Sequence, residues 1–279
     1  MLLVLNVNNT NTLIAIYSLH ADGTTDSLRA TWRISTRQGQ TADEYGILVR
    51  SLLASEGLNC AAVRDIVIAS VVPPLDWTLR QFCERYFSCN PIFIGPGIKT
   101  GLPILTDNPA EVGADRVANC IGAYAKYGGP TIVVDFGTAT NFDVISSKGE
   151  FLGGAIAPGL NISAEALFAR AARLPRVEIR KPAKIIGTNT TDNLQIGLFW
   201  GHIALVDGIL ARMITELGSE TKCIATGGLA HILSGDSRYI TEVDETLTLD
   251  GLRRVYEAQK RDTPRSNSPR KDQKRGGQN

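Results

Sequence analysis

Hydrophobic positions along the chain switch repeatedly between a period of two and a period near 3.6, and that switching predicts the elements. Leu2, Leu3 and Val4 lead into a polar knot, Asn6-Val7-Asn8-Asn9-Thr10-Asn11-Thr12, and apolar character returns at Leu13. The stretch reads as a β-hairpin over 2–7 and 13–17. SLRATWRIS alternates apolar with polar, which predicts a third strand at 28–35. TADE at 41–44 is a capping box, with Thr41 as N-cap and Glu44 reaching back, and opens a helix to about residue 57. DIVIASVV predicts a buried strand at 66–72, Pro73-Pro74 starts a helix through about Tyr86, and PIFI is a strand at 91–94. A helix begins near Ala110. Strands follow at 151–157, 222–225 and 238–243, and helices at 159–172, 189–217 and 247–259.

One pattern occurs twice. LVLNVNNTNTLIAIY (3–17) and IVVDFGTATNFDVIS (132–146) align without a gap at an offset of 129 residues. Both run apolar strand, polar turn, apolar strand. A repeat this long is not a solenoid; it implies two copies of one αβ unit, and the alternation of helices and strands argues an α/β fold. The two halves are expected at 1–110 and 111–257, with the turns at 8–12 and 137–140 facing one cleft.

Composition narrows the class. Apolar residues make up 43% of the 279, enough for a substantial core. The formal charge of +1 conceals an asymmetry: residues 260–279 carry seven Lys or Arg against two Asp, which leaves about −4 on the rest. The apolar-poor 258–279 segment is expected to be a disordered basic tail. Five cysteines without a CxxC pair suit a reducing cytoplasm. No apolar run approaches the roughly 20 residues of a membrane span, so neither membrane nor nucleic acid is expected as a partner.

The repeated turns carry the candidate chemistry. A tight turn of Gly, Asn and Thr aims several backbone N–H groups at one hollow, an anion-binding nest, and the Thr and Asn side chains add donors. An acidic residue at the end of the strand can hold Mg²⁺ directly or through water. Taken alone, an Asn-Thr hairpin is usually only a hairpin. Two matching turns, with TGGLA at 226–230 after a strand, point to a polyphosphate clamped between two halves. GPGIKTG at 95–101 has Ile98 where a P-loop needs Gly and lacks the third Gly of a dinucleotide fingerprint.

These motifs together resemble the type III pantothenate kinases, members of the acetate and sugar kinase/Hsp70/actin superfamily. NNTNT (8–12) resembles the family's first phosphate loop and VVDFGTAT (133–140) its second. GPGIKTGLPI and DNPAEVGADRVAN (107–119) resemble its substrate region, and GGAIAPGL (153–160) and TGGLA follow in order. The resemblance covers about residues 1–257. It implies a duplicated actin-like ATPase (ribonuclease H-like) fold with the nucleotide cleft between the halves, and ATP-dependent phosphorylation of pantothenate, the first step toward coenzyme A. It implies Asp115 as proton acceptor; Gly113, Ala114, Asp115, Arg116 and Thr190 as substrate contacts; and Asn6, Val7, Asn8, Asn9, Thr10, Asn11, Thr12, Leu13 and Thr138 as ATP contacts. Asp135 matches a ligand for a monovalent cation, K⁺ or NH₄⁺, used beside Mg²⁺, and the family's homodimers carry substrate sites at the interface. Without the motif, Asp115 would be a helix N-terminal charge, Arg116 a partner of Glu111, and Asp135 a strand end.

The chain departs from the family pattern at one telling place. Asn6 and Asn8 stand where D-x-G is usual, opposite Asp135 and Gly137 in the repeat. Asn141 and Thr106 are milder departures. Two readings follow: a working kinase whose metal is held by other carboxylates, waters and ATP, or a catalytically degenerate homologue serving as a regulatory or ligand-binding protein.

Overall fold

A computed structural model of the chain describes residues 1–262 except 21, 96, 97, 99 and 172. The tail beyond 262 and part of the 95–101 loop, Lys99 included, lie outside the described residues. Ten strands form two five-stranded sheets. The first holds β1 (Leu2–Val7), β2 (Asn11–Leu19), β3 (Thr25–Ser35), β4 (Asp65–Ser70) and β5 (Ile92–Ile94), in the order β3-β2-β1-β4-β5. The second holds β6 (Thr131–Phe136), β7 (Ala139–Ile145), β8 (Phe151–Pro158), β9 (Lys222–Thr226) and β10 (Glu242–Val243), in the order β10-β9-β6-β7-β8. The orders are equivalent. In each sheet the first three strands are antiparallel and the last two join parallel. The repeat in the sequence is therefore a repeat in topology.

The helices α1 (Ala42–Ser55), α2 (Asp76–Phe87), α3 (Ala114–Tyr127), α4 (Leu160–Arg170), α5 (Thr190–Leu217), α6 (Ala230–Leu233) and α7 (Leu247–Asp262) fill three layers. The first helix starts at its capping box, with the Thr41 side chain accepting from Glu44 N–H and Glu44 reaching back to Thr41 N–H. Tyr45, Val49, Leu79 and Phe82 of α1 and α2 pack under Leu3, Leu5 and Ile16. On the far side, Phe199, Ile203, Val206 and Leu210 of α5 cover Ile132, Val134 and Phe142. Contrary to the sequence expectation, α5 is long and apolar enough by composition to cross a membrane; in the fold, one of its faces is a core face.

Between the sheets lie α3 and α7. Ala114 and Ala118 of α3 and Leu252, Val255 and Tyr256 of α7 pack on Leu2, Val4 and Val67 of the first sheet. The opposite side of α3, with Val117, Cys120 and Ala123, packs on Val133, Ile145 and Phe151 of the second. The two helices cross at glycines. A Cβ on Gly251 would lie 1.8 Å from the Ala118 carbonyl oxygen, and one on Gly122 2.5 Å from that of Leu247. Only a bare backbone permits this approach.

Of the boundaries that differ from the sequence reading, three have a clear local cause. The helix expected near Ala110 begins at Ala114, because Asn108 caps a short 3₁₀ turn over Pro109–Glu111 first. The strand expected over 238–243 shrinks to Glu242–Val243. Its earlier amides are taken by side chains: Asp207 accepts from Arg238 N–H, and Ser237 Oγ from Tyr239 and Ile240 N–H. Residues 258–262, expected in the tail, are the last turns of α7, where Lys260 pairs with Asp65 at 2.8 Å.

Candidate active site

The strand ends of both sheets meet at one cleft of about 520 Å³. The first turn contributes Asn6, Asn8, Asn9, Thr10, Asn11 and Leu13, and the second Asp135 and Thr138. The turns touch: Thr10 Oγ1 and Thr138 Oγ1 are 3.0 Å apart, although 128 residues separate them in sequence. The first turn is braced from just past β3, where Thr36 N–H donates to the Thr10 carbonyl at 2.9 Å. Thr36 Oγ1 also lies 2.8 Å from Thr12 Oγ1. Val7 and Thr12 are fully buried and do not line the cleft, so their side chains face the sheet's packing instead.

Two acceptor atoms in the first turn lack donors. Asn6 Oδ1 and Asn8 Oδ1 are buried without a hydrogen-bond partner, and both residues line the cleft. A buried acceptor without a partner costs about 1–3 kcal/mol. With the carboxylate of Asp135 opposite, these hard oxygens suit an oxygen-seeking cation such as Mg²⁺ or K⁺. A cluster of three or more acidic, His or Cys side chains able to cage a metal is absent among the described residues. Mg²⁺ held by one or two protein oxygens plus phosphates needs no such cage.

Asp115 sits in the first turn of α3, after the N-cap Gly113 and Ala114, where the helix dipole favours a negative charge. Its Oδ1 accepts from the Arg116 N–H at 2.8 Å. Burial raises its pKa, against the pull of that N–H and of the Arg116 charge. Burial also pushes Asp135 up to about 7, with the Asp115 charge adding to the shift. Asn119 Nδ2 donates to Asp135 Oδ2 at 3.1 Å, and Thr248 Oγ1 of α7 donates to Asn119 Oδ1 at 2.6 Å. Gly227 closes the site from β9. Its φ is +94°, and a Cβ there would stand 2.4 Å from Asp135 Oδ1.

Arg116 does not pair with Glu111, which accepts from Asn108 instead. Its Nε and Nη2 lie 2.7 and 2.6 Å from Asp143 Oδ1, deep in β7. Asp143 is fully buried and its Oδ2 has no partner. Burial pushes its carboxyl up to about 6 despite the guanidinium. Held this way, among the described residues Arg116 leaves Asp115 with a backbone donor only, and its Nη1 has no hydrogen-bond partner. Thr190, by contrast, is exposed at the start of α5 and does not line the cleft of its own chain.

Several residues that shape the site were not singled out from sequence: Arg33, Asn119, Asp143, Glu165, Glu245 and Thr248. Asp143 had a readable signal, an acid between Phe142 and Val144 in the apolar second half of its strand. Arg33 had none, since it sits on an alternating strand where a polar residue is ordinary.

A family model described as type III pantothenate kinase matches residues 2–212. The type III pantothenate kinase of Acidobacterium capsulatum is 84% identical over 97% of this chain and 99% of its own. That of Koribacter versatilis is 53% identical over 94% and 97%. Among solved structures, the activator of 2-hydroxyisocaproyl-CoA dehydratase from Clostridium difficile with bound ADPNP superposes with a TM-score of 0.51. It is 12% identical over 95% of this chain and 99% of that one, a likeness of fold alone. The duplicated sheets, with a cleft between them, are the two-lobed actin-like ATPase fold. With its phosphate turns meeting across that cleft and its sequence matched over most of its length, the chain belongs to the type III pantothenate kinase family.

Proposed function

We infer that the protein transfers the γ-phosphoryl group of ATP to the primary hydroxyl of pantothenate, the first step toward coenzyme A. The single observation that carries this reading is the contact between Thr10 and Thr138 across a cleft that also holds Asp115. Phosphoryl transfer asks a protein mainly for positioning and charge stabilisation, and two facing donor turns supply both. High identity to kinases of this family speaks against the degenerate-homologue reading.

The geometry supports the following roles. Asn8, Asn9, Thr10, Asn11 and Thr138 seat the polyphosphate, with the backbone of Val7 and Thr12 holding the turn. Asp115 takes the hydroxyl proton as the oxygen attacks phosphorus. Its raised pKa, from burial, makes it a better base than an exposed Asp. Arg116, anchored through Asp143, offers Nη1 to the pantothenate carboxylate, with Gly113 and Ala114 shaping that wall. Asn6 Oδ1 and Asp135 would hold the cations, K⁺ or NH₄⁺ at Asp135 and Mg²⁺ toward Asn6. When bound, these cations neutralise charge on the phosphates.

Thr190 lies outside its own chain's cleft, as expected of a substrate contact supplied by a second copy. We propose a cytoplasmic homodimer in which α5 forms part of the interface and Thr190 of one protomer completes its partner's site. Steady-state turnover with pantothenate, Mg-ATP and K⁺ tests the activity. A purified dimer that binds nucleotide yet forms no 4'-phosphopantothenate refutes it.

A further inference from the structure

Four carboxylates line the cleft, those of Asp115, Asp135, Glu165 and Glu245, and among the described lining residues Arg33 is the one cation. A triphosphate entering this cleft brings several more negative charges. Cations recruited from solution offset part of that repulsion, but they exchange and carry no direction. A fixed guanidinium donates to phosphate oxygens in a planar fork.

Arg33 is placed for such a contact. It lies on β3 opposite Leu13, so it belongs to the same rigid sheet as the first phosphate turn. Its side chain reaches across the cleft to the second lobe, where a Cβ on Gly228 would lie 3.0 Å from Arg33 Nη1. The neighbouring Gly227 is the residue that packs on Asp135 Oδ1. The guanidinium is therefore brought to the side of the cleft where Gly227 packs on Asp135, while the side chain stays open to solvent. No carboxylate among the described residues forms an ion pair with it. An arginine placed only to stabilise the fold would be expected to have found one of the four acids around it.

We propose that Arg33 is a catalytic residue that contacts the β- and γ-phosphate oxygens of the bound nucleotide and stabilises the charge that develops there during transfer. The proposal rests on the kinase reading given above. In the step, the substrate oxygen forms a bond to the γ-phosphorus while the bond from that phosphorus to the β,γ-bridging oxygen breaks. The electron pair departs with ADP, and the hydroxyl proton goes to Asp115. Arg33 keeps all its protons and donates hydrogen bonds throughout. Gly228 acts as its seat, since any side chain there would push the guanidinium out of line. The proposal also bears on Asn6. With a neutral amide in place of the usual carboxylate, the first turn sets no negative charge against Arg33.

The test compares wild type, Arg33→Lys, Arg33→Met and Arg33→Ala. Arg33→Met is expected to lower kcat by about 10²–10³, the usual loss for one preorganised charge-stabilising donor. Arg33→Lys should recover part of that loss, because a point charge replaces the fork. Affinity for a non-hydrolysable ATP analogue should fall more than affinity for ADP, and adenosine binding should not change. Free guanidinium chloride at millimolar concentration should partly rescue Arg33→Ala, while the melting temperatures stay together because the side chain is exposed. Turnover of Arg33→Met within threefold of wild type overturns the proposal. So does an equal loss of affinity for adenosine, ADP and the analogue, which would mark a structural role. An inactive wild type would instead refute the kinase reading, so the two failures are distinct.

Discussion

Asp135 should make the ligand-free protein less stable as pH rises, and replacing it should remove that penalty. Its carboxyl sits at the end of β6 under Gly227, with one side-chain donor, Asn119, and with Asp115 and Asp143 as repelling neighbours. Burial, before those charges, lifts its pKa from an ordinary 3.8 to about 7. A folded-state pKa above the unfolded one means that the native protein holds a proton the unfolded chain has already released. Stability therefore falls between about pH 4 and pH 7, and the loss is complete above that window. At about 1.36 kcal/mol per pKa unit the full shift corresponds to about 4 kcal/mol. Asp135 keeps some contact with solvent, so screening reduces the expected loss to about 2–4 kcal/mol. In a chain of this size that is a melting-temperature difference of roughly 5–15 °C.

The comparison is between wild type and Asp135→Asn, melted without nucleotide from pH 4 to pH 8. The amide keeps the shape and can still accept from Asn119. The two proteins should melt together near pH 4, and the variant should melt higher at pH 8. Groups whose charges do not couple to Asp135 titrate alike in both and cancel: Asp244, held low by Lys126 and Tyr127 despite its burial, and His202, lowered by burial. Potassium chloride, set against tetramethylammonium chloride, should raise the melting temperature of wild type at pH 8 and leave the variant unchanged. Parallel pH curves for the two proteins would refute the reasoning, because Asp135 would then carry no buried charge to relieve.

Three further outcomes are expected. Asp115→Asn should cut kcat by about 10²-fold or more with little change in nucleotide affinity by calorimetry, since only the proton acceptor is lost. Asn6→Asp should raise kcat by up to about 10²–10³ at saturating Mg-ATP while melting slightly lower without it, because a new carboxylate helps only once a cation is gathered. Gly251→Ala should destabilise by about 1–3 kcal/mol in denaturant unfolding and also slow turnover, as its Cβ would meet the Ala118 carbonyl and shift α3.

Much of this architecture was legible in the sequence because two independent signals agreed. The repeat at 3–17 and 132–146 predicts the paired turns, and in the structure they meet at Thr10 and Thr138. The capping box at Thr41 predicts a helix start, and the Thr41 and Glu44 side chains accept the backbone N–H bonds it requires. What escaped notice was long-range. The partner of Arg116 is 27 positions away on a strand of the second sheet, and no local pattern connects Asp143 to it. Arg33 reaches Gly228 across the cleft, a contact set by how two lobes sit together. The strand expected at 238–243 failed for a related reason. Its apolar and β-branched residues fit a ladder, but Ser237 and Asp207 take the amides that a ladder needs.

The position of α7 has a consequence for how the protein is made. Helix α3 carries Asp115, yet one of its packing faces is completed only by Leu249, Leu252 and Val255, and its Asn119 is oriented by Thr248. All of these residues lie after both sheets in the sequence. During synthesis both sheets can emerge and begin to pair while the helix bearing the base still lacks its neighbour. A nascent or prematurely terminated chain ending before residue 247 would thus possess both phosphate turns and an unsupported base. The fold ties support of the base to residues 247–256, so a chain ending before them is expected to be inactive.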